Sequence, residues 1–207
     1  MTDLWSTVAA ERGALADDLE GLSNEQWQQK SLCQSWTIEQ TLAHMTATAH
    51  LTPAAFLGAF AKAGFSFDKF ATAQIKKHMG AVNTDTLAGF RSIQHSTKSP
   101  PGPKASWLGE AIVHAEDIRR PLGIPHTYDS AALLEVADFY QGSNALIGTK
   151  SRIAGLALHA TDMSWDHGTG EDVAGPMISL LMAMTGRAVA CDDLTGAGVE
   201  KLRAGGC

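Results

Sequence analysis

Gly109-Glu110-Ala111-Ile112-Val113-His114-Ala115-Glu116-Asp117-Ile118-Arg119-Arg120-Pro121-Leu122-Gly123 closes a helix predicted from Ala105 to Arg120, which Pro121 and Gly123 then terminate. On a wheel of about 100° per residue, Trp107, Leu108, Ala111, Ile112, Ala115 and Ile118 share one arc of about 140°, the expected core face. Glu110 and His114 lie together just off one edge of that arc, four residues apart, so their side chains point the same way one turn apart. A carboxylate and an imidazole placed like this can both reach one metal ion. The same spacing also serves an ordinary surface pair, and a catalytic site needs a third protein ligand that this helix does not supply. A carboxylate beside an apolar face needs compensation from a cation, a hydrogen-bond donor or water.

Upstream, Thr37 followed by Gln40 forms a capping box, predicting a helix over residues 38–51 with Ile38, Leu42, Met45 and Ala49 as its apolar arc. His44 and His50 fall on opposite flanks of that arc. Either is a candidate third ligand, and the spacing does not choose between them. A first helix is expected over residues 3–20, with Leu4, Val8, Leu15 and Leu19 about a turn apart, Thr2 as a possible cap and Gly21 at its end. Ser23-Asn24-Glu25-Gln26 resembles a short capped turn anchored by Trp27. Thr52-Pro53 should restart the chain, and residues 53–79, weakened by Gly58 and Gly64, read as one helix and a fragment. Asn83 or Thr84 opens another helix that stops before the Pro100-Pro101-Gly102-Pro103 loop, and a further one is expected from Asp129 to about Ser143.

The texture changes after Gly148. Arg152 to Thr161 is compatible with a strand and Met163 to Asp166 with a second, Gly168-Thr169-Gly170 with a hairpin-like loop, and Pro176 leads an apolar helix from Met177 to Met184. The expected architecture is mainly α with a small α/β tail: a helical bundle over residues 1–148 and a C-terminal α/β domain over 149–207.

Composition narrows the function. The 207 residues carry 16 Lys and Arg against 22 Asp and Glu, a formal charge of −6, so the chain has no electrostatic footprint for a polyanion; neither nucleic acid nor an anionic membrane is an expected partner. The longest apolar run, Ile178 to Met184, is interrupted by Ser179 and far shorter than the roughly 20 residues a bilayer span requires. With an acid at Asp3 where a signal peptide would be basic, a cytoplasmic protein is expected. Cys33, Cys191 and Cys207 are odd in number and widely spaced, which suggests free thiols rather than a disulfide framework.

Three stretches resemble the mycothiol-dependent maleylpyruvate isomerase family, a branch of the DinB-like four-helix bundles. They are Ser31-Leu32-Cys33-Gln34-Ser35-Trp36-Thr37 with Leu42-Ala43-His44; the segment Gly109 to Gly123; and Ala160-Thr161-Asp162-Met163-Ser164-Trp165-Asp166-His167-Gly168 with Thr185-Gly186-Arg187. The resemblance implies a DinB-like up-down four-helix bundle followed by a small C-terminal α/β domain. It also implies a divalent metal, usually zinc, with nickel or another ion as alternatives, held by His44, Glu110 and His114. The implied chemistry is activation of a low-molecular-weight thiol cosubstrate, mycothiol, as the thiolate that attacks a small electrophile. Arg187 matches an arginine of the family suited to a substrate or thiol carboxylate.

Two other readings stay open at this level: a metal-binding module without turnover, connected with stress response, and a metal-dependent hydrolase that activates water at the same site. Asp117 can orient a ligand histidine or pair with Arg119 or Arg120. His159 and His167 have no assigned role. His50, His78, His95 and His126 read as structural or surface residues, and Cys33 and Trp36 as packing at the entry to the second long helix.

Overall fold

The computed structural model describes residues 3–33, 36–144 and 147–205. The proposed Thr2 cap, Gln34, Ser35 and Cys207 lie outside them. The chain divides into two compact units, Met1–His126 and Thr127–Cys207.

The first unit is helical: α1 Leu4–Asp18, α2 Asn24–Gln28, α3 Ile38–His50, α4 Pro53–Lys62, α5 Phe67–His78, α6 Asn83–Ser92 and α7 Lys104–Leu122. Four of these share one core. Leu15, Ala16 and Leu19 of α1, Ile38, Leu42, Met45 and Ala49 of α3, Phe90 of α6 with Ile93 just after it, and Ala115 and Ile118 of α7 pack together around Trp27. Each fully buried Leu or Ile there contributes about 2 kcal/mol of transfer free energy. This is the expected four-helix bundle.

Local chemistry sets the helix ends. Both capping boxes form: Ser23 with Gln26 opens α2 and Thr37 with Gln40 opens α3. Asp3 is the N-cap of α1. Residues 53–79 hold two helices rather than a helix and a fragment, because Thr52 and Ser66 each accept a cap hydrogen bond and Pro53 sits in the first turn of α4. Pro121 lies within the last turn of α7, and Gly123 ends that helix in the left-handed region at φ 67°. Buried polar ties fix the bundle. Glu39 accepts from Gln28 Nε2 at 3.1 Å and from Thr86 Oγ1 at 2.9 Å, joining α2, α3 and α6.

The second unit contains α8 Ser130–Tyr140, α9 Thr149–Arg152, β1 Leu156–Ala160, β2 Asp166–Gly168, β3 Glu171–Gly175, α10 Met177–Met184, a 3-10 helix Ala188–Asp193 and α11 Val199–Ala204. The change of texture at residue 148 does not mark the division between units. Helix α8, expected in the bundle, belongs with the second unit and packs on α10. Trp165 Nε1 adds a hydrogen bond to Asp138 Oδ1 of α8 at 3.0 Å. The sheet has order β2-β1-β3. β1 pairs antiparallel with β2, with His159 opposite Asp166, and parallel with β3, with Leu158 opposite Val173. The chain from Arg152 to Thr161 is therefore a helical turn and then a strand, and β3 was not foreseen. Pro176 is the N-cap of α10 rather than its first residue, and Asp162 Oδ1 accepts from the Met177 backbone N–H at 2.9 Å. No helix among the described residues is long and apolar enough to cross a membrane.

Candidate metal centre

His44 of α3 and Glu110 and His114 of α7 come together in the first unit, with one ligand atom from each lying within 4.8 Å of the other two. The i, i+4 spacing on α7 aims the last two side chains alike, and the packing of α3 on α7 brings His44 rather than His50 to them. The His44 ring meets the His114 ring edge-on at a centroid distance of 5.1 Å. His50 instead stacks on His78 at 4.9 Å, with the ring planes 17° apart.

Glu110 is half-buried as a residue, but its Oε1 atom is wholly buried and has no hydrogen-bond partner. Leaving a buried carboxylate oxygen unsatisfied is costly. A cation between the two imidazoles would remove that cost. Trp107 Nε1, one turn earlier on α7, is a second buried polar atom without a partner.

His114 Nδ1 lies 2.9 Å from Asp117 Oδ2, and the Asp117 side chain is fully buried. An ionised carboxylate only accepts, so Nδ1 carries the proton and Nε2 is the nitrogen left to bind a metal. Asp117 is thus placed to orient the His114 ring. Of the two arginines close to it in sequence, Arg119 donates from Nε to Asp18 Oδ2 at 2.7 Å and Arg120 from Nε to Glu116 Oε2 at 2.8 Å.

The electrostatics suit a cation. Burial drives the His44 imidazole down to about 3, with the His114 charge adding to the effect and Asp117 opposing it, so His44 offers a neutral ring. Burial pushes the Glu110 carboxyl up against the pull of His114, Arg12 and the Thr48 hydroxyl. At His114, burial is outweighed by Cys33 and Asp117, and the imidazole is held up to about 10. The cluster refuses a proton at one ring and favours positive charge at the other. A divalent cation shared by both rings and the carboxylate would compensate the buried Glu110 charge and take the place of the His114 proton.

Two residues read as packing lie at this cluster. The buried Cys33 thiol forms a second potential ligand group with His114 and Asp117, also within 4.8 Å. The Trp36 ring packs against His44 at 4.9 Å, tilted 41°. Nothing in their spacing announces this. Their positions follow from the turn in which Ser31 N donates to Trp36 O at 2.9 Å and Ser31 Oγ hydrogen-bonds Thr41 Oγ1 at 2.8 Å.

Residues 8–99 match the mycothiol maleylpyruvate isomerase N-terminal domain. His44 falls inside that isomerase domain segment, whereas Glu110 and His114 follow it. Over almost the whole chain the fold is similar to the solved mycothiol-dependent maleylpyruvate isomerase, with TM-score 0.62 and 16% identity over 94% of this chain and 92% of that one. A mutant of that isomerase with one histidine replaced by alanine gives 0.61 and 14% over the same shares. At these identities the likeness is one of fold. No curated protein sequence matches the chain.

The remaining candidates lie in the second unit. Arg187 follows α10, and its Nη1 donates to Thr185 O at 2.9 Å. His159 is bracketed by Asp166 at 2.6 Å and Asp172 at 3.3 Å. The His167 ring stacks on Trp165 at 6.0 Å. In the first unit, His126 Nε2 lies 2.9 Å from Glu11 Oε2.

Proposed function

We propose that this chain is a metal-dependent enzyme using a low-molecular-weight thiol, mycothiol, to isomerise or conjugate a small electrophile. The observation that carries the proposal is the convergence of two imidazoles on a carboxylate whose buried Oε1 has no partner. The isomerase domain match over residues 8–99 supports the choice of thiol chemistry.

His44, Glu110 and His114 would hold a divalent cation, zinc or nickel, which would supply the positive charge that favours the deprotonated form of a thiol at neutral pH. His44 presents a neutral nitrogen without first having to lose a proton. Asp117 fixes the tautomer and ring orientation of His114. Glu110 would bring one negative charge to the site, so a divalent cation held there would keep a net positive charge. Trp36 covers one side of His44 and limits the access of water to it. Three protein ligands leave room for an exogenous group, which is the pattern of catalytic rather than structural sites. Arg187 belongs to the same proposal as the donor to a substrate or thiol carboxylate.

The test is metal analysis of the purified, metal-loaded protein beside His44→Ala and Glu110→Ala, followed by mycothiol-dependent turnover of maleylpyruvate and of 1-chloro-2,4-dinitrobenzene. About one equivalent of divalent metal, lost in both variants, together with thiol-dependent turnover is the expected result. Metal binding without turnover of either electrophile would instead describe a binding module. Turnover that proceeds equally without thiol would describe a hydrolase.

A further inference from the structure

Residues 53–79 carry Lys62, Lys69, Lys76 and Lys77 against a single acid, Asp68, a formal charge of +3 in a chain of −6, so the rest carries −9. The charge of the whole chain, which argues against an anionic membrane, conceals this segregation. The same stretch, α4 and α5 with the turn between them, holds five of the seven phenylalanines. Phe60 is their hub, its ring centroid 5.6 Å from those of Phe56 and Phe65, 4.5 Å from Phe67 and 6.0 Å from Phe70. Of the five, only Phe70 is buried.

Packing within the chain leaves much of this apolar surface uncovered. Helix α4, Pro-Ala-Ala-Phe-Leu-Gly-Ala-Phe-Ala-Lys, has one charged side chain and no buried residue. A helix with so few polar groups ordinarily lies inside a protein or against another apolar phase. Leu57 is 61% exposed, and at the tip of the hairpin Phe65 is 72% and Phe67 50% exposed. Phe65 also has φ 59°, the only positive value outside glycine among the described residues. A bulky aromatic resists that conformation, so the backbone is strained at the point where the ring stands most exposed.

The lysines complete the pattern. Lys62 precedes Phe65 by three residues and Lys69 follows Phe67 by two; both are exposed, and both border one groove of about 540 Å³ between α4 and α5. Apolar rings at a tip flanked by ammonium groups suit an anionic bilayer, where the rings enter the acyl boundary and the long lysine side chains reach the phosphate and carboxylate headgroups. A twofold contact of this face with a second copy would instead set +3 against +3.

We propose that the α4–α5 hairpin docks this chain on the surface of an anionic phospholipid bilayer, with Phe65 and Phe67 inserted and Lys62 and Lys69 at the headgroups. Neither helix is long and apolar enough to cross a membrane, so the contact is peripheral. It does not depend on the thiol-dependent reading above.

The experiment floats the metal-loaded protein with vesicles of phosphatidylcholine alone and of an equal mixture with phosphatidylserine. It compares the parent with Lys62→Gln/Lys69→Gln and with Phe65→Asn/Phe67→Ser, asparagine being a residue that tolerates the left-handed conformation. Far-UV circular dichroism checks that both variants keep the parent's helix content. The mixed vesicles should bind the parent at least about tenfold more tightly than the neutral ones, and each double variant should lose at least about tenfold. The tryptophan of a Phe65→Trp variant should be quenched by phospholipids brominated in the acyl chain. Equal binding to the two kinds of vesicle, or unchanged affinity in either double variant, overturns the assignment. So does a parent that ignores vesicles yet sediments as a dimer and becomes a monomer in Phe65→Asn/Phe67→Ser, which would give this face to a second copy.

Discussion

Asp117 and His114 stand three residues apart on α7, with Oδ2 2.9 Å from Nδ1 and the carboxylate fully buried. That pairing leaves Nε2 as the ring nitrogen through which His114 would hold the proposed metal and couples the orientation of the ring to Asp117. Asp117→Asn keeps the shape and removes the charge, so a metal titration against a chelator should show affinity lower by about 10- to 100-fold. The far-UV circular dichroism of the variant should match the parent. Unchanged metal affinity would show that His114 is oriented by packing alone.

Arg119 joins α7 to α1 from a position with no exposed surface. Its Nε donates to Asp18 Oδ2 at 2.7 Å, and its Nη1 lies 3.9 Å from Glu11 Oε2. Removing one partner of a buried ionic group strands the others, at a cost of about 3 kcal/mol or more. Arg119→Met should lower the denaturant midpoint accordingly. Asp18→Asn, at a side chain 27% exposed, should cost less than half as much, because water can reach that end of the pair. A loss below about 1 kcal/mol for Arg119→Met would mean that the two carboxylates are rehydrated in the variant.

How much of this was legible in the sequence depends on how local each signal is. The capping box at Thr37 and Gln40 is contained in four residues, and it placed α3 correctly. The alignment of Glu110 with His114 needs only the helical period. The choice of His44 over His50 needs the packing of α3 on α7, which no local pattern contains. Asp117 was obscured because Arg119 and Arg120 follow so closely, while the Asp18 that claims Arg119 lies 101 residues away. Strand β3, Glu171-Asp172-Val173-Ala174-Gly175, contains one β-branched residue and two acids. It exists because its backbone completes β1, so propensity could not reveal it. The place of α8 is hidden for a related reason: its amphipathic pattern fits either unit, and its packing on α10 groups it with Thr127–Cys207.

His159 offers a pH-dependent probe of the small sheet. Its Nδ1 is 2.6 Å from Asp166 on β2 and its Nε2 3.3 Å from Asp172 on β3. The hydrogen bond to Asp166 is the largest cause raising its pKa, with Asp172 adding to it. A histidine whose folded pKa is raised stabilises the fold below its unfolded value, and that contribution disappears as pH rises through the raised value. The effect on stability is small because both carboxylates are exposed, so the direct measurement is an NMR titration of His159. It should titrate above an ordinary histidine, and Asp166→Asn should bring it down. Titration at or below the ordinary value would mean the bracket does not persist in solution.

Two glycines should respond to the same substitution with opposite signs. Gly58 lies in the exposed interior of α4, and a Cβ added there meets nothing within 4 Å. Gly58→Ala removes unfolded-state freedom without a steric cost and should stabilise the protein by about 0.5–1 kcal/mol. Gly170 has φ 139°, and an added Cβ would fall on the Gly155 carbonyl oxygen. It lies in the short connection that carries the chain from β2, on one side of β1, to β3 on the other. Gly170→Ala must therefore shift backbone at the junction on which both strand pairings depend, with strain of about 1–3 kcal/mol. Thermal unfolding should record an increase for the first variant and a decrease for the second. A neutral Gly170→Ala would mean that the turn has room to relax, and the parallel pairing of β1 with β3 would then not depend on that glycine.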